Sequence, residues 1–159
     1  MFGFLKPNYL SARLQRLKTQ QLFSTLTPRE LTIVDGLLHT RQFLAGEIVF
    51  DEGEEGQALY ILLSGTVAIG RTRDTGLEIV AELTSGSFFG DLALLDNTPR
   101  SAQVRAKEAC EMAVFFRADF IALMETDATI GYKISLQLAR NLAQRFRALA
   151  LGRPRLEPL

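Results

Sequence analysis

Apolar positions change their period twice along this chain. Between residues 8 and 22 they fall at Leu10, Leu14, Leu17 and Leu22, with basic residues between them. That spacing predicts a first helix. Thr27-Pro28-Arg29-Glu30 reads as the start of a second, with Thr27 as N-cap, Pro28 at the first helical position and Glu30 reaching back to the cap's N–H. This helix is expected to run through Leu31, Val34, Leu37 and Leu38 towards Thr40. His39, the single histidine, then sits at its end in a solvated or dipole-compensating place.

From Gln42 the period becomes two. Short β-rich runs lie at 46–51, 58–63, 66–70 and 78–83, separated by turn signals at Glu52-Gly53-Glu54, Ser64-Gly65 and Asp74-Thr75-Gly76. Ser64-Gly65 is a two-residue link between apolar runs and predicts a tight hairpin. Two further strands are expected at 101–106 and 111–116. Many short strands at this spacing indicate a sandwich or jelly roll. Helical spacing returns at Asp119, first to Glu125 and then in a longer helix from about Ala128 to Leu151, ended by Gly152 and Pro154. Its stripe of Ile130, Ile134, Leu138, Leu142, Phe146 and Leu149 predicts a face docked on the core.

Composition narrows the class. At 159 residues with 47% hydrophobic and 23% charged residues, the chain reads as one soluble globular domain. No apolar run is long enough to span a bilayer, and residues 1–7 carry no extended apolar core of a secretory signal. One cysteine, Cys110, forms no internal disulfide, suits a cytoplasmic setting and falls in an apolar run as a small buried hydrophobe. The net charge is zero but unevenly spread. Lys6, Arg13, Arg16 and Lys18 mark one end and Arg140, Arg145, Arg147, Arg153 and Arg155 the other, while Glu47, Asp51, Glu52, Glu54 and Glu55 crowd a middle loop. The basic ends read as solvated helix faces rather than as nucleic-acid or membrane surfaces.

The stretch with chemistry is 86–106, GSFFGDLALLDNTPRSAQVRA. Gly90 permits a sharp turn, and the run after it is long enough for one or two helical turns. The first amide groups of that turn, on Leu92 and Ala93, can face an anion. Arg100 offers a planar fork of donors to phosphate oxygens, and Ser101 a hydroxyl. Asp91 has two readings. It can accept a hydrogen bond from a sugar hydroxyl, or it can fold back as the N-cap of the short helix.

Phe89-Gly90-Asp91-Leu92-Ala93-Leu94 followed by Pro99-Arg100-Ser101-Ala102 resembles the phosphate-binding cassette of the cyclic nucleotide-binding domain family. That cassette usually reads Phe-Gly-Glu-Leu/Met-Ala-Leu, a spacer, then Pro-Arg-Ser/Thr-Ala. Asp91 departs from it, standing where the family has Glu. The resemblance implies a mainly β fold, a jelly-roll β-roll (double-stranded β-helix) with N-terminal helices and two C-terminal helices. It divides the chain into helices over 1–40, a β-roll over 41–117 with the cassette at 89–102, C-terminal helices over 118–152 and a tail over 153–159. It implies a ligand site of Gly90, Asp91, Leu92, Ala93, Arg100, Ser101 and Ala102. It also places the base near Val80 and Ala81, with Gln144 and Arg145 about where relatives cap the base; both also read as solvated polar residues. The implied ligand is a cyclic monophosphate, cyclic AMP favoured and cyclic GMP open. The last helix is implied as lid and homodimer seam, signalling to an unidentified effector.

Other classes fit less well. A metal enzyme needs several converging ligands, and the one histidine lies outside the expected β region. No nucleophile is paired with a histidine base, so no catalytic residue, metal or cofactor is expected. Family members that read DNA carry a helix-turn-helix after the domain, and this sequence stops after its long helix, so direct DNA binding is not expected. The alternative to a sensor is a nucleotide-independent interaction or dimerisation module that keeps the β-roll with a degenerate cassette.

Overall fold

In a computed structural model, residues 10–152 are described. The tail over 153–159, with Arg153, Pro154 and Arg155, lies outside the described residues, as do residues 1–9 with Lys6. Helix α1 spans Ala12–Lys18, capped by the Ser11 side chain, and a 3-10 turn follows at Gln21–Phe23. The predicted first helix is therefore shorter than 8–22 and broken near Gln20. Helix α2, Pro28–Asp35, carries the full capping box: Thr27 Oγ1 accepts from the Glu30 N–H at 3.2 Å, and Glu30 Oε1 accepts from the Thr27 N–H at 2.8 Å.

Among the described residues, eight strands form two four-stranded antiparallel sheets. They are β1 (His39–Phe43), β2 (Ile48–Phe50), β3 (Ala58–Ser64), β4 (Thr66–Arg73), β5 (Gly76–Thr84), β6 (Phe88–Phe89), β7 (Gln103–Ala106) and β8 (Cys110–Phe116). One sheet has the order β1-β8-β3-β6 and the other β2-β7-β4-β5. The short helix α3 (Leu92–Leu95) stands between β6 and β7, and α4 (Arg117–Thr126) and α5 (Ala128–Ala150) end the described chain. The mainly β architecture with flanking helices is the one expected.

Burial explains the sequence pattern of the central strands. In β3, Leu59, Ile61 and Leu63 pack into a core shared with Leu17, Phe23, Leu31, Phe120, Ile130 and Ile134 of the helical segments. Ala58, Tyr60 and Leu62 point the other way, into the core between the sheets with Val67, Ile69, Val104 and Val114. Strand β8 divides likewise, Ala113 and Phe115 against Met112 and Val114. A strand covered on both faces reads as a continuous apolar run rather than an alternation.

Two local expectations are corrected. Helix α2 stops at Asp35, and His39 begins the edge strand β1, where it pairs with Val114 and sets its ring edge-on to Phe116 at 5.2 Å. Thr40 and Arg41 continue that ladder, so the backbone hydrogen bonds of the edge strand outweigh one more helical turn. Ser64-Gly65 is not a hairpin, because β3 and β4 lie in different sheets. The bend carries the chain from one sheet to the other. Gly65 has φ +94°, and a Cβ there would stand 2.5 Å from the Ala109 carbonyl oxygen and 2.6 Å from Cys110 Sγ. The hairpin is instead β4–β5, closed at Asp74-Thr75 with Arg73 opposite Gly76. Cys110 is buried, and desolvation pushes its thiol above the ordinary value.

Candidate functional site

Gly90 leaves β6 with φ +73° and turns the chain into α3. Across a spacer, Arg100 comes back beneath that turn. The spacer is shaped by Asp96, whose Oδ1 accepts from the Thr98 N–H at 3.1 Å and from Thr98 Oγ1 at 2.6 Å. These two bonds hold the exposed Asp96 carboxyl below its usual value. The acidic loop docks on the far end of the cassette. Gly53 donates its N–H to the Arg100 carbonyl and Arg100 donates its own to the Glu54 carbonyl, each at 2.8 Å.

The Arg100 side chain is 9% exposed. Its Nη1 donates to the Gly90 carbonyl at 3.1 Å and its Nη2 to the Ala58 carbonyl at 2.8 Å. The guanidinium carbon lies 4.0 Å from the Phe50 ring centroid and 5.9 Å from that of Tyr60, and Tyr60 stacks on Phe89. Nε is buried with no hydrogen-bond partner. Burial depresses the basicity of Arg100, opposed by Tyr60, Glu54 and Asp91. The cation is thus positioned by neutral carbonyls and aromatic faces, and no carboxylate pairs with it among the described residues. Gly90 is required for this approach: a Cβ there would lie 2.5 Å from Arg100 Nη1. Gly56 permits a second, since a Cβ there would meet Arg100 Nε at 3.1 Å.

A cleft of ≈ 140 Å³ opens at this point, lined by Phe50, Gly90, Leu92, Ala93 and residues 98–101. It gathers five of the sequence-predicted site residues: Gly90, Leu92, Ala93, Arg100 and Ser101. Ala93 is buried and its N–H donates to the Gly90 carbonyl at 3.2 Å, so the turn itself uses one of the two amides expected to face an anion. Ala102 is a core residue, 1% exposed and packed between the sheets. Val80 and Ala81 lie on β5, Val80 at a bulge, and neither lines the cleft.

Asp91 occupies the N-cap position but makes no side-chain cap. Its backbone is already helical at φ −66°, ψ −27°. Its carboxylate turns instead to Arg145 of α5, whose Nη2 donates to Asp91 Oδ2. The ion pair is buried, the side chains being 1% and 8% exposed. The expected cap is therefore replaced by a tertiary contact, and Arg145 is a buried, paired residue rather than a solvated one. Gln144, one position before it, is exposed. Sequence reasoning missed Phe50, Tyr60, Gly56 and the Ala58 carbonyl as the cradle of Arg100, because nothing local in the sequence pairs β2 and β3 with the cassette.

Helix α5 touches the body through two kinds of side chain. Ile130, Ile134 and Leu138 enter the core beside α2 and the 3-10 turn. Lys133 bonds Glu30 Oε1 at 2.6 Å, and Gln137, Asn141 and Arg145 are all buried. The predicted apolar stripe does not stay docked to its end: Phe146 is 71% and Leu149 48% exposed.

A β-roll of two antiparallel sheets that presents a Gly-turn-helix and an inward arginine is the architecture of a nucleotide-binding regulatory domain, and the chain belongs to that family. Its residues 40–127 match the model of the cyclic nucleotide-binding domain. Among its relatives is the cyclic AMP receptor protein of Thermus thermophilus, 35% identical over 129 residues, covering 80% of this chain and 60% of that protein. The crystal structure of the Thermus thermophilus catabolite activator protein superposes with a TM-score of 0.71 at 34% identity, covering 83% of this chain and 62% of that one. The regulatory domain of Toxoplasma gondii PKA, co-crystallised with cAMP, gives 0.63 at 31% identity, covering 69% of this chain and 42% of that one. The chain thus spans about 60% of the length of these Thermus thermophilus proteins. No helix of the described residues is long and apolar enough to cross a membrane.

Proposed function

We propose that this chain is a non-catalytic sensor of a cyclic monophosphate, with cyclic AMP as the favoured ligand, reporting through α5 to a partner protein or to a second copy. The observation that carries the reading is Arg100: a buried guanidinium at the wall of a cleft, with no carboxylate partner among the described residues and an unsatisfied Nε. A cyclic phosphate supplies one negative charge and exocyclic oxygens that suit such a fork. A charge-assisted hydrogen bond contributes about 1.5–3 kcal/mol, a large part of the ~8 kcal/mol of a micromolar complex. The preference for cyclic AMP rests on the Thermus and Toxoplasma relatives, whose names carry that nucleotide.

Signalling through α5 is supported by the Asp91–Arg145 pair, which ties the last helix to the cassette turn. Any ligand that shifts Gly90 or α3 then favours one position of α5 over another. The exposed Phe146 and Leu149 give that helix an apolar outer face suited to a second copy or an effector. The sequestered Asp91 favours a second reading, a nucleotide-independent interaction module. Calorimetry against cyclic AMP, cyclic GMP and AMP separates the two. A sensor binds a cyclic nucleotide, and Arg100→Leu abolishes that binding while the fold persists by circular dichroism. Binding within twofold of wild type in folded Arg100→Leu removes the proposed site.

A further inference from the structure

The phosphate end of the cleft depends on one long side chain. Among the described residues, Arg100 is the single charged group in its lining, and an arginine has rotamer freedom to lose before it can serve an anion. Its backbone is fixed by the acidic loop through Gly53 and Glu54, but that pairing does not aim the guanidinium. The Gly90 and Ala58 carbonyls fix one edge of the fork, each taking one N–H. Bonds along one edge leave the plane free to rock about that edge. The plane is set by Phe50 of β2. Its ring centroid lies 4.0 Å from the guanidinium carbon, inside the range over which a ring face attracts a cation. Phe50 is itself braced. It is 7% exposed and packs between the sheets, its ring centroid 5.7 Å from that of Tyr60 and 5.9 Å from that of Phe89. A buried strand position asks only for an apolar residue, and Leu or Val would meet that demand without offering a polarised face.

We propose that Phe50 is a positioning residue of the phosphate site: its ring face holds the Arg100 guanidinium in the plane that an anion in the cleft meets. Affinity for a cyclic phosphate then depends on the electron density of that ring. The proposal rests on the sensor reading. Two effects of the ring oppose each other. Its negative face offsets a little of the charge that the phosphate feels. Its loss, however, spreads the fork over several arrangements, and apparent affinity falls by the fraction that remains competent. The second effect is the larger, because the guanidinium keeps its full charge while the ring presents only a quadrupole.

The test is calorimetry with cyclic AMP on the wild-type chain, on Phe50→Leu, on Phe50→Tyr and on a chain carrying trifluorophenylalanine in place of Phe50, with Arg100→Leu as control. Fluorination keeps the ring's shape and apolar character but drains its face, so a purely structural role leaves binding unchanged. Phe50→Leu is expected to bind about tenfold weaker and the fluorinated chain about threefold weaker, the latter with no fall in thermal midpoint. Phe50→Tyr, which keeps the face, is expected to stay within about threefold of wild type. Binding by the fluorinated chain as tight as wild type or tighter overturns the proposal while the sensor reading stands. So does a folded Phe50→Leu within twofold of wild type, or a folded Phe50→Tyr as weak as Phe50→Leu. If wild type binds no cyclic nucleotide, or binding survives in folded Arg100→Leu, the sensor reading falls and this proposal with it.

Discussion

Arg145→Met tests what the buried ion pair does for the last helix. The substitution keeps the length and apolar stem of the side chain and leaves the Asp91 carboxylate, 1% exposed, without its cation. Breaking a buried pair by removing one partner costs about 3–5 kcal/mol when the surroundings stay rigid. The surroundings of Arg145 need not stay rigid. Beyond Leu138 the fully buried residues of α5 are Asn141, Arg145 and Ala148, and only Ala148 is apolar. A buried methyl group contributes about 0.8 kcal/mol, and Leu142 is half-buried. Lifting the end of the helix therefore costs less than stranding the charge, and lets water reach Asp91. Hydrogen exchange is expected to show protection over 141–150 falling about a hundredfold, close to 3 kcal/mol of local stability. Residues 128–138, held by Ile130, Ile134 and Leu138 at 0–1% exposure, are expected to keep theirs. Asp91→Asn/Arg145→Met should recover part of the loss, giving a coupling above ~1 kcal/mol in the double-mutant cycle. Unchanged protection over 141–150 in Arg145→Met, or additive single effects, refutes the anchoring role.

Two further outcomes follow from the fold. Glu30 takes hydrogen bonds from Lys133 first and from Thr27 second, and these hold its carboxyl below the ordinary value of 4.5. A lowered folded value means stability fully present above about pH 4.5 and lost as pH falls through the folded value; Glu30→Gln should flatten this acid limb in chemical denaturation at pH 3–6, and an unchanged limb would count against the tie. Gly65→Ala places a Cβ 2.5 Å from the Ala109 carbonyl oxygen at φ +94° and should cost about 3 kcal/mol or more, strain and clash together, read as a lowered thermal midpoint; a loss below ~1 kcal/mol would mean that the sheet-crossing bend relaxes freely.

Local signals located most of the elements. The Thr27–Glu30 capping box is a four-residue contract between side chains and backbone, and it forms as read. The long helix begins where expected because Asp127 caps it, its carboxylate accepting from the Ile130 N–H at 3.3 Å. The β-rich runs at 58–63 and 111–116 became strands because every residue in them except Glu111 meets a core on one face or the other. What stayed hidden depends on partners distant in sequence. His39 joins a strand because Val114 lies opposite. The two residues Phe88-Phe89 form β6 because β3 offers Tyr60 and Ile61 as partners.

The cassette shows the same division within one site. That Gly90, Arg100 and Ser101 come together at one cleft was legible because a positive-φ turn and a planar fork of donors each demand particular residue types. The fate of Asp91 was not, since two short-range roles fitted it and a third partner 54 residues away took it. A signal for that partner is nevertheless present in α5. Lys133, Gln137, Asn141 and Arg145 recur every fourth residue, a polar line alongside the apolar stripe of Ile130, Ile134 and Leu138. Residues four apart share a helix face, so a polar line next to a docked stripe is itself drawn towards the body. Gln137, Asn141 and Arg145 are indeed buried, and buried polar groups require partners. Such a line marks where a helix lies on polar ground, and here that ground includes Glu30 at one end and Asp91 of the cassette at the other. The end of α5 is thus held by charge more than by apolar contact.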